Sequence, residues 1–379
     1  MKLFKKISKS VILLFVIFIS FSPIKIQAQD TENSPEIWKA KVEKVLEERT
    51  EQILDTVYPQ QTLRSEILNG PQKGEIIEIE NDFQKLKTGD RFYFRKNILG
   101  EEEVSYIVTD VVRQGPIILL LAIFVIIIVI FGRWQGVRSL VALAASFLAI
   151  MLILIPGILN GWNPLFAGFL VAGAILFAAI FFTHGFNRES AVAYSGTMIA
   201  VIISGLFAIF AVYITKLTGF SAEESVYLNM NTGGTINFIA LLLGAFIIGF
   251  LGVLDDIAIT QSAVVTELYN INPGIKRKEV YARAMRVGRE HVGALVNTLV
   301  LAYTGASLPL LLYFNLSSTS LFMTINLEIF ATEIVRIIVG SIGLILTVPI
   351  VTLLAVKYLK GYKSDHSSHG HSHGHGHSH

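Results

Sequence analysis

Two adjacent carboxylates, Asp255 and Asp256, stand in an otherwise apolar, glycine-rich stretch of the sequence. Ionisable side chains inside a membrane span are costly to bury, and by default they indicate a functional site. Neighbouring residues of a helix point about 100° apart, so we expect the two carboxylates to differ in role. Asp256 shares one helix face with small residues at Ala245, Gly249, Gly252 and Thr260. Because small residues let a second helix approach closely, we expect Asp256 to lie in a protein-lined seam.

The next apolar stretch offers hydrogen-bond partners for a carboxylate at Asn297, Thr298 and Thr304. Together with Thr260 and the two aspartates, they form a candidate ion or proton pathway. The alternative is structural. An aspartate pair can be the solvated end of a span, here followed by the polar run 260–262, and Asn or Thr side chains often only join helices.

The C-terminal tail holds a second set of residues with chemical potential. Imidazoles separated by Ser and Gly on a flexible chain can bind Zn, Ni or Cu, and no packed fold is expected of them. The spacing is not the unbroken run of an ordinary purification tag, so we treat the tail as native. It could also act only as a buffer or a passenger. Its histidines are His366, His369, His371, His373, His375, His377 and His379.

Glu333 and Arg336 are three residues apart near the start of the last apolar stretch. Side chains at this spacing meet on one face of a helix. We expect a structural ion pair that orients the helix at the membrane surface.

The composition indicates a membrane protein. The chain has 379 residues, is 53% hydrophobic, carries a formal charge of +2 and contains no cysteine. Apolar runs of about 20 residues recur, as spanning helices need. The small charge argues against a nucleic-acid partner, and the absence of cysteine excludes disulfides and thiolate sites. We predict seven spans, at about 115–131, 140–159, 164–182, 191–214, 236–256, 292–314 and 337–358.

The N-terminus is predicted to be exported. Residues 1–28 have the basic, apolar and small-residue order of a signal peptide, although an uncleaved signal anchor is the alternative. Residues 29–113 then form a small domain. Alternation at 75–80, a turn at Gly89-Asp90 and the β-branched run 104–111 predict strands of a small β-barrel or sandwich. Its first segment fits a helix or a strand. We find no catalytic cluster there and expect a sensing or docking module rather than an enzyme.

Loop charges predict the orientation of the chain. Lys and Arg concentrate in alternate loops and at the C-terminus, so these lie in the cytoplasm and residues 29–113 lie outside. The basic loop 276–290 places Val280, Ala284 and Val287 on one stripe. This pattern is typical of a helix lying on the inner membrane surface. The tail, 359–379, is predicted to be cytoplasmic.

The membrane region resembles the YibE/F-like family of bacterial multi-pass membrane proteins. The resemblance is carried by residues 256–260, 267–268, 297–303, 333–336 and 340–343, with Gly305, Leu308, Pro309 and Pro349. It extends from about Trp38 to Tyr358, because the exported domain with its Gly89-Asp90 turn is also similar. It implies this architecture in a bacterial cytoplasmic membrane, but no established activity. The histidine tail departs from the usual family ending.

A looser similarity concerns the order of an acidic span, an amphipathic basic segment and a polar return span. This layout is similar to that of SecD/SecF export proteins, in which an acidic residue belongs to a proton path. By analogy, we expect a transporter coupled to ions or protons through Asp256. The histidine tail makes a divalent metal the candidate substrate. The alternative is a membrane scaffold or sensor whose exported domain binds a protein partner. A homo-oligomer is compatible with either.

Overall fold

The computed structural model describes residues 37–53, 56–99, 103–316 and 320–361. The predicted signal peptide and the histidine tail lie outside these ranges. The chain divides into two compact units, Met1–Phe131 and Gly132–His379, each with its own packing. The first unit contains a β-barrel and the second a bundle of helices.

The N-terminal unit confirms the predicted barrel. Its strands are β1 (Ile37–Ile53), β2 (Thr56–Ile67), β3 (Ile76–Asn81), β4 (Arg91–Leu99) and β5 (Glu103–Val111). They close in the order β1-β2-β3-β5-β4, with β1 paired to β4. Every pairing is antiparallel except β3 with β5, where Glu80 faces Ile107 in parallel. This order is that of a five-stranded OB-type barrel, a fold that hosts many functions.

Alternating apolar residues fill the barrel, as the sequence pattern requires. On β3 the inward residues are buried and the outward ones exposed in strict alternation. Phe92 and Phe94 of β4 are fully buried, and Phe94 packs edge-on against Trp38. The first segment of this domain, for which the sequence allowed a helix or a strand, is a strand. This is β1, which pairs with both β2 and β4.

The predicted turn before β4 is present, and its backbone explains the glycine. Gly89 has φ +95°, a conformation that side chains rarely adopt. Its N–H donates to the Val42 carbonyl at 2.8 Å, and the Asp90 carboxylate accepts from the Lys87 N–H at 2.8 Å. The turn therefore ties β4 to β1. Where β5 ends, the Val111 N–H and then the Arg113 guanidinium hold the pKa of Asp110 below its usual value.

The helices are defined here in chain order. They are α1 (Gln114–Leu159), α2 (Pro164–Phe182), α3 (Arg188–Thr215), α4 (Glu223–Asn231), α5 (Phe238–Ile271), α6 (Arg277–Ala306), α7 (Leu308–Leu316), α8 (Leu321–Asn326) and α9 (Glu328–Tyr358). Five of the described helices, α1, α2, α3, α5 and α9, are long and apolar enough to cross a membrane. The number becomes six if α6 and α7, which meet at 60°, form one broken span.

These apolar helices confirm a polytopic α-helical membrane protein, but not the predicted number of spans. The first two predicted spans belong to one stretch of 46 residues, interrupted at Arg133 by a non-helical φ of 48° and ψ of −133°. At 1.5 Å per residue this stretch measures about 70 Å, roughly twice the hydrocarbon thickness of a bilayer. That it forms two spans stays a prediction.

The core of the bundle lies between α2, α3, α5 and α9. Large side chains of α5, including Phe246, Phe250 and Leu254, are almost completely buried there. Glycines bring the helices close: a Cβ on Gly168 of α2 would lie 2.9 Å from the Cα of Gly244 on α5. This contact sets how closely α2 and α5 approach each other.

Helix α6 packs differently from its prediction. We expected its stripe to lie on lipid, but Val280 and Ala284 are fully buried against α5 and α9, beside Val265, Tyr269 and Ala355. Val287 is 36% exposed. The extension of α5 to Ile271 provides the protein surface that covers the stripe, so the surface-helix prediction is wrong for Val280 and Ala284.

Candidate ion site in the membrane bundle

Asp255 and Asp256 lie near the middle of α5, rather than at its end. The helix has 34 residues, begins where the Asn237 side chain accepts from the Ala240 N–H, and continues to Ile271. The predicted end of this element at Asp256 is therefore wrong. The helix continues past Asp256, and the Thr260 hydroxyl donates to the Asp256 backbone carbonyl at 2.8 Å.

The small-residue face that carries Asp256 is exposed in the described chain. Ala245, Gly249, Gly252 and Thr260 are also exposed, and a Cβ on Gly252 would meet nothing within 4 Å. Helix α6 reaches this face at Gly249, where a Cβ would lie 2.9 Å from the Tyr303 hydroxyl. Asp256 itself is exposed, so the described residues do not cover it with a neighbouring helix as predicted. The opposite face wins the packing because its large apolar side chains bury far more area than a stripe of glycines.

Asp255 is the more covered of the two carboxylates. Its side chain is partly buried, and one carboxylate oxygen accepts the Asp256 N–H at 2.9 Å. Asp256 is exposed. The two carboxylates thus differ in burial, in the order opposite to the sequence interpretation, and a difference in role stays a prediction.

Helix α6 runs antiparallel beside α5 and reaches the level of the carboxylates. The Tyr303 hydroxyl donates to the Gly249 carbonyl at 3.3 Å, and the Gln261 amide donates to the Ala284 carbonyl at 2.9 Å. These contacts lie on either side of Asp255 along α5. Asn297 lies between the corresponding points of α6, so it occupies about the same depth.

The predicted polar partners do not contact the carboxylates. Within the described residues, no hydrogen bond joins Asp255 or Asp256 to the side chains of Asn297, Thr298 or Thr304. Asn297 and Thr298 are exposed, and the Thr298 hydroxyl donates to Ala294 of its own helix at 3.0 Å. The fold therefore brings these elements to one level without assembling a closed ligand shell.

A buried polar link close to the carboxylates was missed by sequence reasoning. The Gln261 amide donates to the Ala284 carbonyl and also to the Thr352 hydroxyl at 2.8 Å, which joins α5, α6 and α9. Gln261 is 1% exposed. We had interpreted 260–262 as a polar boundary, yet Gln261 and Ser262 face the core. The signal was their spacing, since Gln261 follows the buried Leu254 and Ile257 at helical intervals.

Glu333 and Arg336 form the expected ion pair on α9. Their side chains meet at 2.7 Å and each is 24% exposed. The Arg336 guanidinium also lies over two rings, 5.4 Å from the centre of Phe246 and 5.7 Å from that of Tyr303. The pair thus connects α9 with α5 and α6. Phe246 precedes Asp255 by nine residues, or about 14 Å along the helix.

The metal prediction rests on residues outside the described ranges. All seven tail histidines lie there, so their geometry stays open. In the described part of the chain, no group of three or more His, Asp or Glu side chains is placed to hold a metal ion.

Comparison with known proteins identifies the chain. The model of the YibE/F-like protein family matches residues 120–361, and that of the YibE/F family N-terminal domain matches residues 36–99. The chain belongs to the YibE/F-like family. Its N-terminal match covers most of the barrel, and its membrane match covers the helices from within α1 to the end of α9.

The predicted resemblance to the YibE/F-like family is therefore confirmed over both units. The looser similarity to SecD/SecF proteins is not among these matches. No curated protein matches the chain. No solved structure matches it. The YibE/F-like assignment supplies the architecture, and the chemistry has to be argued from the residues.

Proposed function

We propose that this protein is a transporter of the bacterial cytoplasmic membrane, coupled to an ion or proton at Asp255 and Asp256. The observation that carries the proposal is the position of two adjacent carboxylates near the middle of a 34-residue apolar helix. The helix, at about 50 Å, is longer than the hydrocarbon core of a bilayer, and an aspartate within that core costs up to about 2.5–3.5 kcal/mol on insertion scales. Such residues mark ion pathways more often than they stabilise a bundle.

The two carboxylates have different surroundings, which suits a relay. Asp256 faces out of the described bundle. There it would line an aqueous path or contact a second copy of the chain. Asp255 lies on the protein side of the same turn. A cation or proton that arrives at Asp256 has a second acceptor one residue away. A homo-oligomer formed through the face with Gly249 and Gly252 would line this path with small residues.

The proposed topology has seven spans. Helix α1 supplies two of them, divided at Arg133, and α6 with α7 supplies one that is broken at Ser307. Broken spans free backbone groups to line a cavity, and many transporters use them at their binding sites. The Lys and Arg bias of the loops supports an orientation with the barrel outside and the C-terminus in the cytoplasm.

The histidine tail makes a divalent metal the leading candidate substrate. Alternating imidazoles at the cytoplasmic end would capture Zn, Ni or Cu near the inner mouth of the bundle. The carboxylates would then carry the coupling ion rather than the metal itself, because oxygen ligands alone suit softer metals poorly.

The test is a flux assay with matched variants. Purified protein in liposomes is screened for uptake and efflux of protons, sodium, Zn, Ni and Cu. We expect Asp255→Asn and Asp256→Asn each to lower flux at least tenfold while the protein still inserts. Glu267→Gln, an exposed carboxylate farther along α5, is the control and should keep its flux. Deleting the residues after Lys363 should weaken metal capture measured by calorimetry.

The transport proposal fails if both aspartate variants behave as the parent protein in every gradient tested. The alternative is then favoured: a scaffold or sensor whose barrel binds a protein partner. The observation that supports this alternative is that the barrel has a complete core of its own. In that case, deleting residues 29–113 abolishes the cellular phenotype, and substitution of the aspartates does not.

A further inference from the structure

A groove lies between the N-terminal end of α3 and the C-terminal end of α9. The two helices are closest at Gly196, where a Cβ would lie 2.6 Å from a methyl carbon of Val351. One to two turns beyond this contact, they leave a groove of about 350 Å³. Its lining residues are Arg188, Ala191, Val192, Ser195, Leu354 and Tyr358.

The groove has apolar walls and a cationic mouth. Ala191, Val192 and Leu354 form its walls, and the Ser195 hydroxyl already donates to the Ala191 carbonyl at 2.8 Å. At the mouth, Arg188 and Tyr358 are both exposed. The Lys357 ammonium lies 5.1 Å from the centre of the Tyr358 ring and adds a second positive charge.

The Arg188 guanidinium is available for a ligand. In the described part of the chain it has no ion-pair or hydrogen-bond partner. Its neighbour Glu189 points about 100° away around the helix, so it does not share the groove face. A guanidinium with five donors in a planar fork is suited to bind a phosphate group.

The shape of the groove distinguishes between possible anions. Arg188 and Ser195 are seven residues apart, so the groove extends about 10 Å along α3. A free phosphate would use the mouth and leave the apolar walls uncovered. A molecule with a phosphodiester and a hydrocarbon chain would use both. Basic residues stand at this end of both helices, Arg188 on α3 and Lys357 on α9, with Lys360 just beyond α9. Basic residues next to apolar spans are expected at a membrane surface with anionic lipids.

We propose that this groove binds an anionic phospholipid, with its phosphodiester on Arg188 and Tyr358 and the first part of one acyl chain along Leu354 and Val192. The site is independent of Asp255 and Asp256. Lipid bound here would hold the ends of α3 and α9 together below their contact at Gly196.

Lipid binding to the purified full-length protein in detergent tests the proposal. Native mass spectrometry with phosphatidylglycerol and phosphatidylcholine gives the two affinities, and inorganic phosphate serves as competitor. We expect phosphatidylglycerol to bind at least tenfold more tightly than phosphatidylcholine, and millimolar phosphate not to displace it. Arg188→Gln should lower the phosphatidylglycerol affinity about tenfold, and Leu354→Trp should reduce binding by filling the groove.

Arg138→Gln, an exposed arginine on α1, is the matched control and should leave the affinity unchanged. Equal losses in the Arg188 and Arg138 variants would show a general charge effect and overturn the site. Displacement by inorganic phosphate would show an ion site without a lipid. Unchanged binding in Leu354→Trp would show that the groove is not used. Thermal unfolding of each variant in detergent identifies any that is merely misfolded, and Arg188→Met, which removes the charge but keeps an unbranched chain, then replaces Arg188→Gln with the same expected loss.

Discussion

The smallest residues of the bundle decide its packing. Gly168 and Gly244 meet with their backbones almost in contact, since a Cβ on Gly244 would lie 2.9 Å from the Pro164 carbonyl oxygen. Backbone atoms cannot move aside as a flexible side chain can. This contact therefore sets the distance between α2 and α5.

Substituting these glycines should have different effects from substituting a glycine on the outer face. We expect Gly168→Ala to destabilise the protein by about 1–3 kcal/mol, because the added methyl group overpacks the contact. Gly252→Ala, with open space beside it, should be neutral or slightly stabilising. Thermal unfolding in detergent measures both. Equal effects would show that close approach at Gly168 does not limit the packing.

The sequence identified the ionisable residues but not their orientation. Two adjacent carboxylates in an apolar stretch are easily recognised, and the residues from Ala245 to Thr260 at helical spacing do share one exposed face of α5. The side of α5 that packs, however, depends on Phe246, Phe250 and Leu254 and on the facing helices. Both faces contain small residues, so their spacing alone does not decide between them.

At the scale of elements, the predictions made from a local pattern succeeded, and the one that depended on tertiary contacts, the end of α5, failed. Alternation predicted β3, β4 and β5, because two faces of a strand differ in burial. Hydropathy located the spanning helices but placed the end of α5 at Asp256. The helix instead continues to Ile271, since Gln261, Ser262 and Tyr269 are buried by α6 and α9. Tertiary contacts can bury polar residues that look like a boundary.

The packing of α6 gives a test at this scale. Val280→Lys should destabilise the protein by at least about 3 kcal/mol, because it buries a charge between α5 and α9 without a partner. Val287→Lys, two turns along the same stripe but 36% exposed, is the matched control and should cost much less. Thermal unfolding in detergent is the measurement. Similar values for the two variants would favour a helix that lies on lipid.

At the scale of the whole molecule, the question is how the chain crosses the membrane. The sequence contains no cysteine, so single cysteines report accessibility without background. Asp82→Cys in the barrel and Asn160→Cys after α1 should react with an impermeant maleimide in intact cells. Lys278→Cys at the start of α6 should react only after permeabilisation. Parent protein without cysteine is the blank.

Asn160 is the decisive position in this experiment. If α1 contributes two spans, residue 160 lies on the same side as the barrel, and if it contributes one, the residue lies on the opposite side. Labelling of Asn160→Cys only in permeabilised cells, together with external labelling of Asp82→Cys, would contradict the seven-span topology. Hydropathy predicts two spans here, at 115–131 and 140–159, and the backbone break at Arg133 lies between them, but neither observation counts the crossings.

The closed barrel still leaves parts of its strands with a partner on one side only. β1 pairs with β4 from Ile37 to Lys41 alone, and β2 pairs with β3 from Gln61 to Glu66 alone, so residues 43–53 of β1 and 56–60 of β2 each have one strand beside them. The β3–β5 seam is also sparsely paired, since a single parallel register pair holds it. A ligand that binds through its backbone would therefore add to the ends of β1 and β2 or enter at that seam, whereas one that binds elsewhere on the barrel must read side chains.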